Sequence, residues 1–260
     1  SVIVAEVPNP LFQLMMNDSN ITLFVAALEA TGIAEQLECI IDSTYNAGDY
    51  SWYWYRSHTW SEVGVVPERK MNAYTLFLET DSVLMQKYGV YDLEDLCNLA
   101  RQIYDNIYPT DAGMYDEDMT HPNNPLYRFV AYHILNRDIR DLNLLTGRIL
   151  NYKSINEVLG IHTDRMNPIE WYQTLLPNTM IKCEMLTMSN WVGTTSKLNN
   201  YYLNRRWDDS YQLRGAEVIV PSIENATING RYFYVDDLLA FTEDVRDKVQ
   251  NMLISRPFVG

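Results

Sequence analysis

"AYTLFLETDSVLM" (residues 73–85) places a strand, a turn and the start of a helix in one short stretch. Tyr74 to Leu78 is an apolar run of strand-forming residues, the pattern of a buried strand. Thr80-Asp81-Ser82 then supplies the short oxygen-bearing side chains that open helices, and Val83, Leu84 and Met85 carry one forward. A strand running directly into a helix suits either an alternating α/β chain or a segregated α+β chain. The flanking sequence decides between them.

Toward the C-terminus the segments are short and partly alternating: "MIKCEMLTM" (180–188), "YYLNRRW" (201–207), "EVIVPSI" (217–223) and "GRYFYVDDLLAF" (230–241). They read as strands, with Asn229-Gly230 as a tight-turn signal. Earlier segments have helical spacing. "NPLFQLMMND" (9–18) offers Asn9 as a cap and Pro10 as a first helical residue. In "NITLFVAALEATG" (20–32), Asn20 can cap, Leu23, Phe24, Ala27 and Leu28 share a face, and Gly32 can close the helix. Leu93, Leu96, Ala100, Ile103 and Ile107 line another helix, with Asp92 as its cap and Pro109 as its stop. Asn124 and Pro125 open "PLYRFVAYHILNRDI" (125–139), and "TEDVRDKVQNML" (242–253) is an amphipathic helix with Val245 and Val249 on its apolar face. Helices early and mid-chain with strands late give the fold class α+β.

The 260 residues, 47% of them hydrophobic, can bury a core without a metal or disulfides and read as either one elaborated domain or two small ones. The net charge is −14, from 20 basic and 34 acidic residues. That balance lacks the basic footprint of a nucleic-acid binder and is repelled by an anionic membrane surface. Cys39, Cys97 and Cys183 have no ligand or disulfide spacing and are expected to be buried, inert thiols. Asn17, Asn20 and Asn225 fit N-x-S/T, which matters only in a glycosylating secretory pathway. The start at Ser1 leads us to expect a removed N-terminal segment, and the apolar "ISRPFVG" (254–260) a chain that continues past Gly260.

The common catalytic motifs are missing: there is no G-x-S-x-G, H-E-x-x-H, P-loop or G-x-G-x-x-G. "TDAGMYDEDMTHPNN" (110–124) does not match a calcium loop and reads as a solvated acidic loop. No metal and no cofactor are expected. So many carboxylates supply accidental pairs, so a glycosidase-type enzyme stays as an alternative. The densest aromatic segment is "YSWYWYRSHTW" (50–60). Its Trp52, Trp54, Tyr55 and Trp60 are the candidate ligand-binding residues, by stacking on sugars or anchoring a protein interface; the alternative is a lid on the core. His133 shares a helix face with Leu126, Phe129 and Val130, with no histidine or carboxylate one turn away. It reads as a core residue whose ring N–H meets a backbone carbonyl.

Four blocks in this order resemble the fasciclin domain family. They are the opening helix (20–37), the strand-turn-helix box (73–85), the Tyr132-His133 helix (126–139) and the box 217–239 with Asn229, Gly230 and Asp236. The sequence departs from the family at Leu78-Glu79-Thr80, where Ala-Pro-Thr is usual, and at Tyr232-Phe233-Tyr234, which lacks a frequent histidine. The long insertions are similar to those of Bacteroidetes cell-surface lipoproteins. The resemblance implies a single enlarged domain spanning 1–260, a β-sandwich wedge with flanking helices and large insertions. It implies a non-catalytic extracellular adhesion or ligand-binding role, with a protein or glycan partner. It also implies a lipid anchor at a removed N-terminus and a following similar domain. Tyr132, His133, Asn229, Gly230 and Asp236 are then structural. A carbohydrate-binding module using residues 50–60 is the first alternative.

Overall fold

A computed structural model describes residues 10–49, 67–140, 169–188, 198–207, 210–219 and 225–255. The chain is α+β. In order, the elements are α1 (Leu11–Met16), α2 (Thr22–Thr31), α3 (Ile33–Glu38), β1 (Tyr74–Glu79), α4 (Asp81–Tyr88), α5 (Leu93–Ile107), α6 (Pro125–Tyr132), β2 (Ile134–Leu135), β3 (Ile169–Gln173), β4 (Met180–Met188), β5 (Leu198–Trp207), β6 (Leu213–Ile219), β7 (Ala226–Thr227), β8 (Gly230–Val235) and α7 (Glu243–Ser255).

The strands form one eight-stranded sheet in the order β2-β1-β8-β6-β5-β4-β3, with β7 on β8. β6 pairs with β5 through residues 213–217 and with β8 through Val218 and Ile219, so one strand turns the corner between the two halves of the sheet. The far edges also meet. Leu135 bridges Thr174, and Leu175 N–H donates to the Ile134 carbonyl at 2.9 Å. The sheet is therefore nearly closed. All pairings are antiparallel except β1 with β8, which run parallel from Tyr74↔Gly230 to Glu79↔Val235.

The sequence of β1 explains its central place. All six of its residues are buried, as expected for a strand covered on both faces. Phe24 of α2, Leu96, Ala100 and Tyr104 of α5, and Phe129 and Val130 of α6 are buried in the same core cluster as Phe77 and Phe233, whose rings stack at 5.9 Å. Each such side chain contributes roughly 1.5–3 kcal/mol by leaving water. At the other end β5 carries a bulge between Leu203 and Arg206, and Asn204 sits there in the left-handed region at φ 53°.

Several helix starts depart from the local reading. Asn124 caps α6 and Asp92 caps α5 as expected, accepting from Leu126 N–H and Asp95 N–H at 2.8 and 2.9 Å. In α1 the first helical residue is Leu11, not Pro10, and its N–H donates to the Asn229 side chain at 2.8 Å. In α2 the cap is Asp81 of α4, not Asn20. Its carboxylate accepts from Thr22 N–H at 3.0 Å and Leu23 N–H at 2.9 Å. A carboxylate over two open N–H groups also complements the helix dipole. Asp81→Ala is expected to cost about 1–2 kcal/mol. Chemical denaturation checks this, and a change below about 0.3 kcal/mol contradicts the capping role.

Candidate functional site

The four blocks that carry the fasciclin resemblance meet at one buried point. Glu79 ends β1, and His133 is the C-cap of α6 rather than an interior helical residue. Both side chains are 0% exposed. His133 Nδ1 lies 2.7 Å from the Phe129 carbonyl, which only accepts, so Nδ1 carries a hydrogen. Nε2 lies 2.9 Å from Glu79 Oε1, in line for a hydrogen bond, and 2.7 Å from Oε2, off that line. Leu239 N–H donates to Oε1 at 2.7 Å, whereas Oε2 is buried with no hydrogen bond of its own. The Phe24 and Phe129 rings pack on the imidazole at 5.0 and 4.6 Å. A histidine–carboxylate pair of this kind is a catalytic element elsewhere. Here it is closed to substrate and links β1, α6 and the segment after β8.

The other motif residues also tie elements together. Tyr132 is buried, donates to the Met180 carbonyl at 2.8 Å and accepts from Asn204 Nδ2 at 3.0 Å; burial pushes its phenol well above the usual range. Asn229 accepts from Leu11 N–H and donates to the Leu37 carbonyl, both at 2.8 Å. Gly230 has φ 148°, and a Cβ there would lie 2.1 Å from the Tyr74 carbonyl oxygen. The tight turn is offset by one residue from the Asn-Gly dipeptide: Thr227 pairs with Gly230, so Ile228 and Asn229 form the loop. Asp236 accepts from Glu217 N–H at 2.7 Å and joins β6 to the end of β8. These residues build the fold.

Trp52, Trp54, Tyr55 and Trp60 lie outside the described residues. Cys39 is exposed and Cys97 half-buried, which corrects the expectation of three buried thiols; Cys183 is buried, and burial pushes its thiol up. Among the described residues no group of three or more His, Cys, Asp and Glu is placed to hold a metal ion. No described helix is long and apolar enough to cross a membrane.

Two surface features remain. The first is an open depression of roughly 630 Å³ beside Asn20, Thr80, Asp81, Met85 and Tyr234. Its polar groups are committed. Asp81 caps α2, and Asp18 accepts from the Tyr232 and Tyr234 hydroxyls. Burial opposes the Asp18 charge, but hydrogen bonds from Tyr234, Asn20 and Tyr232 outweigh it and hold the carboxyl below its ordinary value.

The second is the outer end of the β5–β6 hairpin. Trp207 and Leu213 are cross-strand partners and point to the same side. Their exposures are 66% and 45%, and nearby Tyr211 is 85% exposed. The strands below are anchored in the core by Leu203, Ala216 and Val218. An exposed tryptophan with a tyrosine nearby matches the composition of contact hot spots. Sequence reading ranked the 50–60 segment above this one because it weighed aromatic density. The "RRW…YQL" pattern around a hairpin end was the available signal.

No protein-family model and no curated protein matches the chain. Among solved structures it is similar to a FAS1 domain pair from the insect cell adhesion molecule fasciclin I, at 12% identity and a TM-score of 0.20. The match covers 61% of this chain and 43% of that one, so the chain spans less than half of the structure it matches.

Proposed function

We propose that the chain is a non-catalytic, fasciclin-like adhesion or ligand-binding domain of an extracellular surface protein, contacting a protein or glycan partner. The supporting observation is the exposed Trp207–Leu213 pair with Tyr211 on a hairpin whose base is core. Large apolar groups left in water cost solubility and add little to the fold, which fits a binding role. The convergence of the four motif blocks on Glu79 and His133 agrees with the family resemblance. On this reading those residues serve the fold. A lipid anchor at a removed N-terminus, an outer-membrane location and a following domain belong to the same proposal and follow from the resemblance.

The test is Trp207→Ala screened on a matrix-protein and glycan array. Binding to any ligand of the native protein is expected to weaken by about 30-fold, the effect of losing roughly 2 kcal/mol at one anchor. Stability should change by less than about 0.5 kcal/mol, because the ring is largely in solvent. Undiminished binding by the variant places the contact elsewhere, and the 50–60 aromatic segment becomes the next candidate. If the ligand is a glycan, the domain is a carbohydrate-binding module acting through the hairpin. Turnover of any arrayed glycan overturns the non-catalytic reading.

A further inference from the structure

Asn229 is the one asparagine in the chain that a glycine follows. The fold requires both residues. Gly230 approaches the Tyr74 carbonyl oxygen so closely that a Cβ would lie 2.1 Å from it, and its φ of 148° disfavours a side chain as well. Asn229 has to accept and donate with one side chain. Its Oδ1 accepts from Leu11 N–H at 2.8 Å and from the Thr227 hydroxyl at 3.1 Å, while its Nδ2 donates to the Leu37 carbonyl at 2.8 Å. An amide supplies both functions, and a carboxylate does not.

The same dipeptide is chemically labile once it is released. With no side chain on residue 230, its backbone nitrogen can reach Asn229 Cγ. The N–Cγ bond forms and the Cγ–Nδ2 bond breaks. The Gly230 amide proton passes to the departing nitrogen, and ammonia leaves. Water then opens the cyclic imide at one carbonyl or the other. The products are aspartate and its isoaspartyl isomer, whose main chain runs through the former side chain. No oxidant or reductant takes part. In the folded protein this route is closed. Asn229 is 0% exposed, its amide is held by three hydrogen bonds, and its own carbonyl accepts from Tyr74 N–H at 3.0 Å. Cγ turns toward the Gly230 nitrogen only by giving up the three bonds of its amide, two of them to groups on the N-terminal helices.

We propose that Asn229 is a modification site, converted to aspartate or isoaspartate only in chains that have opened at this turn, and that conversion prevents their return to the native state. An aspartate has no N–H for the Leu37 carbonyl, and it places a charge where the asparagine is fully buried. An isoaspartate adds a methylene to the main chain directly before Gly230, the first partner of Tyr74 in the β1–β8 ladder. Opening thus becomes irreversible through a covalent change, and the lifetime of the native protein follows how often the turn opens. The inference does not depend on the binding role of the Trp207 hairpin.

The test incubates the full chain at one mildly alkaline pH and one temperature, in native buffer and in guanidinium chloride. Trypsin then releases residues 215–231, a peptide that holds both Asn229-Gly230 and Asn225-Ala226. Mass spectrometry reads the conversion of amide to acid at each asparagine. In denaturant Asn229 is expected to convert at least about tenfold faster than Asn225, and in native buffer at least about 100-fold slower than in denaturant, because only the rare open form then reacts. Gly230→Ala is compared in denaturant, where it need not fold, and should bring the Asn229 rate down to that of Asn225. After dilution from denaturant, the refolded fraction should be depleted of converted chains. Equal Asn229 rates in the two buffers overturn the proposal, as do an undiminished rate in Gly230→Ala and converted chains that refold as well as unconverted ones.

Discussion

His133→Ala is expected to destabilise the protein by about 3–5 kcal/mol, because it leaves the Glu79 carboxyl buried without its partner. Three losses combine. The imidazole contact with Glu79 is lost, the Phe129 carbonyl loses its donor, and a void opens against the Phe24 and Phe129 rings. Leu239 N–H still meets Oε1, but one amide does not solvate a carboxyl that water cannot reach. Chemical denaturation measures the loss. A double-mutant cycle with Glu79→Gln isolates the coupling, which should exceed about 1 kcal/mol for partners in direct contact. If His133→Ala costs less than about 1 kcal/mol, the pair is not the tie between β1, α6 and the segment after β8.

Gly230→Ala should be comparably severe, at about 3 kcal/mol or more, and is expected to reduce soluble yield. The added carbon would lie 2.1 Å from the Tyr74 carbonyl oxygen and 3.0 Å from Tyr74 N, all backbone. A flexible side chain can move away from such a clash; a strand cannot without breaking its register. Tyr74↔Gly230 is the first pair of the parallel β1–β8 ladder, so displacement there spreads along both central strands. Gly89→Ala is the control. Gly89 also has positive φ, 65°, but nothing lies within 4 Å of a Cβ there, so only the conformational cost of about 1 kcal/mol remains. Equal midpoints for the two variants would show that the close approach is unimportant.

Much of the fold was legible because its signals are local. The apolar run of β1, the Asn124-Pro125 start of α6 and the Asp92 cap of α5 each depend on residues a few positions apart. The missed features depend on residues far apart. Asn20 looked like the cap of α2, but Asp81 provides it, and nothing near residue 20 signals this. The partner of His133 was sought within its own helix; Glu79 lies 54 residues away, at the point where the chain departs from the family's usual Ala-Pro-Thr. An acid ending an otherwise apolar strand was a usable clue. That β6 divides its pairings between β5 and β8 was not legible, because hydrophobic pattern alone does not show which neighbour a strand chooses.

The shared side chain of Asn229 has a consequence for the order of assembly. It accepts from Leu11, 218 residues earlier, and donates to the Leu37 carbonyl, 192 residues earlier. The first helices on the chain are therefore completed by one of its last strands. On the ribosome, α1 leaves the exit tunnel long before Asn229 is made, and it is too short to persist alone. The N-terminal segment has to wait, with Leu11, Phe12 and Met15 uncovered, until β8 arrives beside β1. Such distant closures favour slow folding with a period of exposed apolar surface. A nascent chain stalled before residue 229 should accordingly bind chaperones and resist digestion poorly, and release past residue 239 should change both together.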